Sequence, residues 1–172
     1  MCVMNRLPIC AALLLVLGST THAESLKSMI LKNDTASKKA LMAKDMAAFK
    51  KSMQPYITAD FKYIEAGRTM NFDQMLAGMK QGTGSLQKIT DVVSKLIKLN
   101  EKGDKATAEM TRSMSGTMTG PDKKMHKLTM SGKTVETYVK KDGKWKLAIM
   151  DWKSSEMIMD GKKMDPSQMG GQ

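Results

Sequence analysis

The sequence is short of cysteine, histidine, proline and aromatic residues. Its 172 residues include 2 Cys, 2 His, 4 Pro and only 5% Phe, Trp and Tyr. Both cysteines, Cys2 and Cys10, fall in an apolar leader, so the remainder is expected to fold without a disulfide or a thiolate site. His126 is the one histidine beyond residue 23, and no HExxH or CxxC spacing occurs, which removes an ordinary zinc site. No serine is marked as its partner, which removes a nucleophilic triad. No cofactor is expected. Beyond the leader, no apolar run approaches the roughly 20 residues of a spanning helix, so no membrane span is expected after processing.

Basic residues are plentiful. There are 28 Lys+Arg against 17 Asp+Glu, a formal charge of +11, alongside 41% hydrophobic residues. That balance excludes a wholly disordered, collagen-like or multi-span chain and fits one globular domain. The lysines are scattered in pairs such as Lys50-Lys51 and Lys140-Lys141, with no aromatic platform between them. A solvated basic surface is expected, without nucleic acid as a partner.

Residues 1–23 read as a secretory signal. Arg6 forms the positive region, Ile9 to Leu17 the apolar region, and Thr21-His22-Ala23 the small-residue cleavage site. The mature chain would begin at Glu24 and be exported, to a periplasm or outside the cell.

From Leu26 to Met53 apolar residues recur at spacings near three and four, which predicts helix, with Asn33-Asp34-Thr35 a candidate break into two. Pro55 ends the helical part and Asp60 to Ala66 predicts a first strand. Asn71-Phe72-Asp73 would cap a short helix through Lys80, with a turn at Gly82-Thr83-Gly84. Four long stretches follow, 86–99, 105–118, 124–139 and 144–159, separated by Lys102-Gly103-Asp104, Gly120-Pro121-Asp122 and Asp142-Gly143. Turn chemistry at those places predicts sequential hairpins. Helices first and a meander second make an α+β domain over 24–159, and polar, Gly-containing residues 160–172 read as a mobile tail.

Strict alternation sets the expected faces. In the last strand Trp145, Leu147, Ile149 and Asp151 share one face, and Ala148, Met150 and Trp152 share the other. Two apolar faces imply helices on one side and a partner subunit, a homodimer mate, on the outer side. Arg112 follows Ala108 and Met110 on a core face and should point inward. A buried charge needs a partner, and Asp151 and Glu136 are its candidates. Either an ion pair closing the interior or a ligand-binding arginine would result.

Methionine is the compositional anomaly, at 19 residues. Flexible Met can replace Leu or Phe in a core short of aromatics, and alternation puts Met110 and Met114 on the core face. Soft thioethers also select Cu(I), and Met157, Met159, Met164 and Met169 crowd the C-terminus, so copper binding there is the competing reading.

Several segments together resemble the nuclear transport factor 2-like superfamily, within it the SnoaL-like and ketosteroid-isomerase-like secreted domains. They are Lys44-Asp45-Met46-Ala47-Ala48, Thr58-Ala59-Asp60-Phe61, Gly103-Asp104-Lys105-Ala106 and Glu136-Thr137-Tyr138-Val139-Lys140-Lys141-Asp142-Gly143-Lys144-Trp145, followed by Lys146-Leu147. The resemblance implies a cone: a strongly bent antiparallel sheet wrapped around the N-terminal helices, with a central pocket and homodimers through the outer sheet face. By the same resemblance Arg112 matches a pocket arginine of calcium/calmodulin-dependent kinase association domains, and Asp151 stands where many SnoaL-like domains carry a pocket histidine. Glu65 falls on the general-base aspartate of ketosteroid isomerases, whose oxyanion hole uses a tyrosine and a protonated aspartate. The tyrosine's position falls near Ser37, with Tyr63 or Tyr138 as substitutes. The expected function is binding of a small organic ligand without catalysis, by Arg112, Glu136, Asp151 and Glu65, with Tyr63 and Tyr138 as walls. A carbon-acid isomerase or lyase with Glu65 as base is the alternative.

Overall fold

A computed structural model describes residues 24–164. The leader, the expected cleavage site, Met169 and the rest of the C-terminus lie outside the described residues. Three helices come first and between strands: α1 (Leu26–Met42), α2 (Met46–Met53) and α3 (Phe72–Gly84), with a single 3-10 turn at Gln54–Tyr56. The strands are β1 (Ile57–Glu65), β2 (Arg68–Met70), β3 (Lys88–Lys102), β4 (Lys105–Thr119), β5 (Met125–Lys141), β6 (Lys144–Met159) and β7 (Lys162–Met164). They form one strongly curved, open sheet in the order β2-β1-β6-β5-β4-β3, with β7 also paired to β6.

The helix starts are written in the sequence. Ser25, Asp45 and Asn71 each accept a backbone N–H of the first turn, and Asn71 and Gln74 complete a reciprocal capping box. The expected break at Asn33-Asp34-Thr35 is absent, because those side chains do not compete for the helix backbone's donors. Asp34 is taken by Arg112, Asn33 Nδ2 donates to Met53 Sδ at 3.2 Å, and Thr35 Oγ1 donates to the Leu31 carbonyl at 2.9 Å. The chain breaks instead at Ala43 to Asp45, where Lys44 adopts φ 53°. The helix expected to stop at Lys80 runs to Gly84, and Thr83 is buried inside it.

The β3 to β6 meander is antiparallel as expected, but β1 joins β6 in parallel, so the sheet is mixed. The turn at Asp142-Gly143 has φ of 51° and 73°, the two left-handed residues of a tight hairpin whose twist matches its strands. Asp160-Gly161 repeats it at 49° and 81°. That second turn corrects the expected mobile tail at its start, since Lys162–Met164 returns along β6. β1 covers the β6 edge as far as Asp151 and β7 covers it from Met157. The stretch between carries Lys153 and Glu156, charges that discourage edge-to-edge pairing.

Bulges decide which side chains reach the interior. Along β6, Tyr138 pairs with Leu147 but Thr137 pairs with Ile149, so Ala148 is an extra residue. Thr134 pairs with Trp152 and Lys133 with Ser154, so Lys153 is a second. Each bulge shifts the alternation by one. Trp145, Leu147, Met150 and Trp152 therefore share the inner face, while Ile149 and Asp151 face outward. This overturns the period-two reading of the strand, because Met150 and Trp152 lie inside with Trp145 and Leu147. Along β4 the outer face is Thr107, Glu109, Thr111, Ser113, Ser115 and Thr117, polar throughout.

The core fills the concave side. Leu26, Ala108, Met110 and Ile89 are at most 2% exposed, and Phe61 meets Phe72 edge-to-face at 6.0 Å. No helix among the described residues is long and apolar enough to cross a membrane.

Candidate functional site

The inner face of β4 and β5 is apolar except where Arg112 and Glu136 meet. Uninterrupted pairing along β4 and β5 keeps Ala108, Met110 and Arg112 on one side, with Glu136 opposite Ala108 and Thr134 opposite Met110. Arg112 Nη2 donates to Glu136 Oε1 at 2.6 Å and Nε donates to the same oxygen at 3.2 Å. Nη1 donates to Asp34 Oδ1 of α1 at 3.1 Å and to Ser94 Oγ of β3 at 2.9 Å. The other Glu136 oxygen accepts the Tyr138 hydroxyl at 2.5 Å, and Thr134 Oγ1 donates to Oε1 at 3.3 Å. Glu136 is 0% exposed.

Charge and burial act in opposite senses here. Burial pushes the Asp34 carboxyl up, with the Arg112 guanidinium pulling it back. The Tyr138 hydroxyl is pushed well up, first by burial and then by the adjacent Glu136 charge. Glu136 and its neighbours hold Arg112 charged against the cost of its burial. A guanidinium has five N–H donors. The protein's own acceptors take four of its contacts, so Arg112 closes the interior as an ion pair between α1 and the sheet.

This arrangement corrects several expected roles. Asp151 is not a partner of Arg112; on the outer face it accepts from Lys153 Nζ. Glu136 and Tyr138 are spent on the network, and Tyr138 at 4% exposure is core, so it does not substitute for a missing oxyanion donor. Ser37 stands 3.4 Å from Ser52 Oγ, between α1 and α2. Asp34, Ser94 and Thr134 belong to the site and carry no sequence signal, since all three are polar residues in ordinary helix or strand contexts.

A second polar group lies beside this one. Tyr63 pairs with Met150 and Ile64 with Asp151, so the register of β1 carries Glu65 alongside Trp152 on the inner face. Tyr63 Oη donates to Glu65 Oε2 at 3.0 Å. Burial, followed by the Glu65 charge, pushes the Tyr63 hydroxyl up; Arg112 and Trp152 pull the other way. Trp152 Nε1 is buried and faces the Tyr63 oxygen without completing a well-formed hydrogen bond to it. Tyr63, Glu65 and Trp152 are half-buried, at the edge of the core. Alternation hid Trp152; only the Ala148 bulge brings it inside.

Beside Arg112, a concavity of about 460 Å³ opens on the outer sheet face, lined by Thr111, Ser113, Ser131, Lys133, Ser154 and Glu156 among others. At the far end of β5, His126 Nδ1 lies 2.6 Å from Asp160 and Nε2 lies 2.8 Å from Asp122. Both carboxylates raise the imidazole's proton affinity, and both are themselves held below the usual carboxylate range by it. Among the described residues no group of three or more His, Cys, Asp or Glu is placed to hold a metal ion. Of the methionines read as a copper site, Met157 pairs with Met164, Met159 lies two residues further along β6, and Met169 is outside the described residues.

Comparison with solved structures places this architecture. A protein from Kribbella flavida superposes with a TM-score of 0.59 at 10% identity, over 76% of this chain and 92% of that one. A nuclear transport factor 2-like superfamily protein from Salmonella enterica serovar Typhimurium gives 0.53 at 10% identity, over 85% and 96%. A nuclear transport factor 2-like protein of unknown function from Shewanella oneidensis gives 0.51 at 17% identity, over 73% and 97%. This chain has the nuclear transport factor 2-like fold. No family model matches the sequence, and no curated protein matches it. At these identities the likeness carries the fold and not a chemistry, so the function of this nuclear transport factor 2-like domain is argued from its side chains.

Proposed function

We propose that this is an exported binding domain that takes a small, neutral organic molecule at the Tyr63–Glu65–Trp152 edge of the cone, without turning it over. The observation that carries the reading is the buried Trp152 Nε1–H, which makes no well-formed hydrogen bond and has only the Tyr63 oxygen beside it. An unsatisfied buried donor costs about 1–3 kcal/mol, which an incoming acceptor would recover. Glu65 offers a carboxylate oxygen beside it, so a ligand bearing both a carbonyl or ether oxygen and a hydroxyl fits. Neutrality follows from Arg112, whose charge the protein already compensates through Glu136 and Asp34.

The carbon-acid isomerase reading keeps Glu65 as its base. Against it, Tyr63 already donates to Glu65, and Tyr138 is committed to Glu136, which leaves one indole donor to hold an enolate. Native mass spectrometry of the exported protein, wild type against Trp152→Phe, tests the binding reading. A small organic adduct on the wild type that the variant loses supports it, and an adduct equally retained by the variant moves the site elsewhere. Turnover of a carbon acid that Glu65→Gln abolishes would replace binding with catalysis.

A further inference from the structure

Four methionines stand in one line across four strands. Met114 of β4 pairs with Met130 of β5, Met130 with Met157 of β6, and Met157 with Met164 of β7. Paired residues share a face, and Met114 lies two residues beyond Arg112 on the same strand, so all four side chains leave the sheet on its inner side. Opposed Cα atoms in antiparallel strands are about 4.5–5.5 Å apart. Methionine has three rotatable bonds, so neighbouring sulfurs in such a row can converge on one point above it. All four residues are half-buried, and Met114, Met130 and Met157 pack on the margin of the core. The row is thus screened from bulk water without being sealed. Met159, also on the inner face, flanks it opposite Leu128.

The chemistry of this row is specific. Thioethers are soft, neutral donors that discriminate in favour of Cu(I) over hard divalent cations. Hard ligands are not brought together among the described residues, and His126 is held on both nitrogens by Asp122 and Asp160. The neighbouring guanidinium of Arg112 is compensated by Glu136 and Asp34, so a monovalent cation over the row does not face an unpaired positive charge. Space-filling alone would be served by leucine at every one of these positions.

We infer that the row Met114–Met130–Met157–Met164 is a Cu(I) site, with Met130 and Met157 as the central donors. The site is separate from the Tyr63–Glu65–Trp152 edge and stands or falls independently of the ligand proposed there. The test is an anaerobic Cu(I) titration, in competition with bicinchoninate, of the exported form beginning at Glu24, which carries no cysteine. One Cu(I) per chain, with only sulfur neighbours by X-ray absorption, is expected. Met130→Leu and Met157→Leu should each weaken binding at least tenfold, while Met42→Leu on the exposed face of α1 leaves it unchanged. Leucine conserves volume, so circular dichroism should report an intact fold for each variant. No Cu(I) uptake, a first shell containing nitrogen or oxygen, or unchanged affinity in both single variants would overturn the assignment.

Discussion

Replacing Arg112 by methionine is the sharpest perturbation of the interior. The change keeps most of the side-chain volume but strands the Glu136 carboxylate, which is 0% exposed and would retain only the Tyr138 and Thr134 hydroxyls. It also leaves Asp34 without the guanidinium that offsets its burial. Removing one partner of a buried pair costs about 3–5 kcal/mol, a large share of the roughly 5–15 kcal/mol by which a domain is stable. For a domain of this size that corresponds to a fall in Tm of about 10–15 °C. Thermal and urea unfolding followed by circular dichroism read it directly. The deficit should shrink in acid, as protons neutralise Asp34, whose carboxyl burial already pushes up, and Glu136→Gln added to Arg112→Met should recover part of it. If Arg112→Met lost less than about 1 kcal/mol, or its deficit were the same at pH 4.5 as at pH 7.5, the ion pair would not be what ties α1 to the sheet.

Three further outcomes follow from other places in the fold. Ala66 sits at φ 49° in the β1–β2 turn, a left-handed conformation that costs a non-glycine residue about 1–2 kcal/mol, so Ala66→Asn should raise Tm by a few degrees in a melting curve. A Cβ on Gly132 would lie 2.1 Å from the Ser154 carbonyl oxygen and 2.8 Å from the Trp152 ring, so Gly132→Ala should destabilise by roughly 1–3 kcal/mol and shift the tryptophan emission. The Asp122–His126–Asp160 contact depends on pH in both directions. Because the folded state raises His126 above 6.5, its contribution is full below that value and fades as pH rises through the raised one; because it lowers both aspartates below 3.8, theirs is full above 3.8 and fades in acid. Hydrogen exchange at the Lys127 amide, which donates to Asp160, should therefore be slowest relative to a His126→Gln variant between those limits.

What was legible in the sequence was local chemistry. Turn residues at Lys102-Gly103-Asp104 and Asp142-Gly143 located two hairpins, Asn71 started α3, and alternation through Ala108, Met110 and Arg112 aimed the arginine inward. Long-range register was not legible. Ala148, an extra residue with no bulge signature such as glycine, decides that Trp152 lies inside and Asp151 outside, and a second extra residue, Lys153, resets the alternation beyond them. The partner that Arg112 takes from α1 was hidden for a different reason. Asp34 read as a helix breaker because aspartate ordinarily bonds its own backbone, and only a tertiary acceptor demand from the guanidinium keeps it helical. Met157 and Met164 were already legible as a C-terminal methionine cluster, but their joining with Met114 and Met130 was not, since the row's members are spread over 51 positions and meet only through the ladder.

The most direct test of the central claim, that the buried indole N–H of Trp152 receives a ligand, is the ¹H–¹⁵N indole spectrum of the exported protein before and after its native small molecules are stripped. Stripping should move the Trp152 resonance, identified by its loss in Trp152→Phe, while the Trp145 resonance stays in place. A Trp152 resonance indifferent to stripping, with an organic adduct still present beforehand, would contradict it.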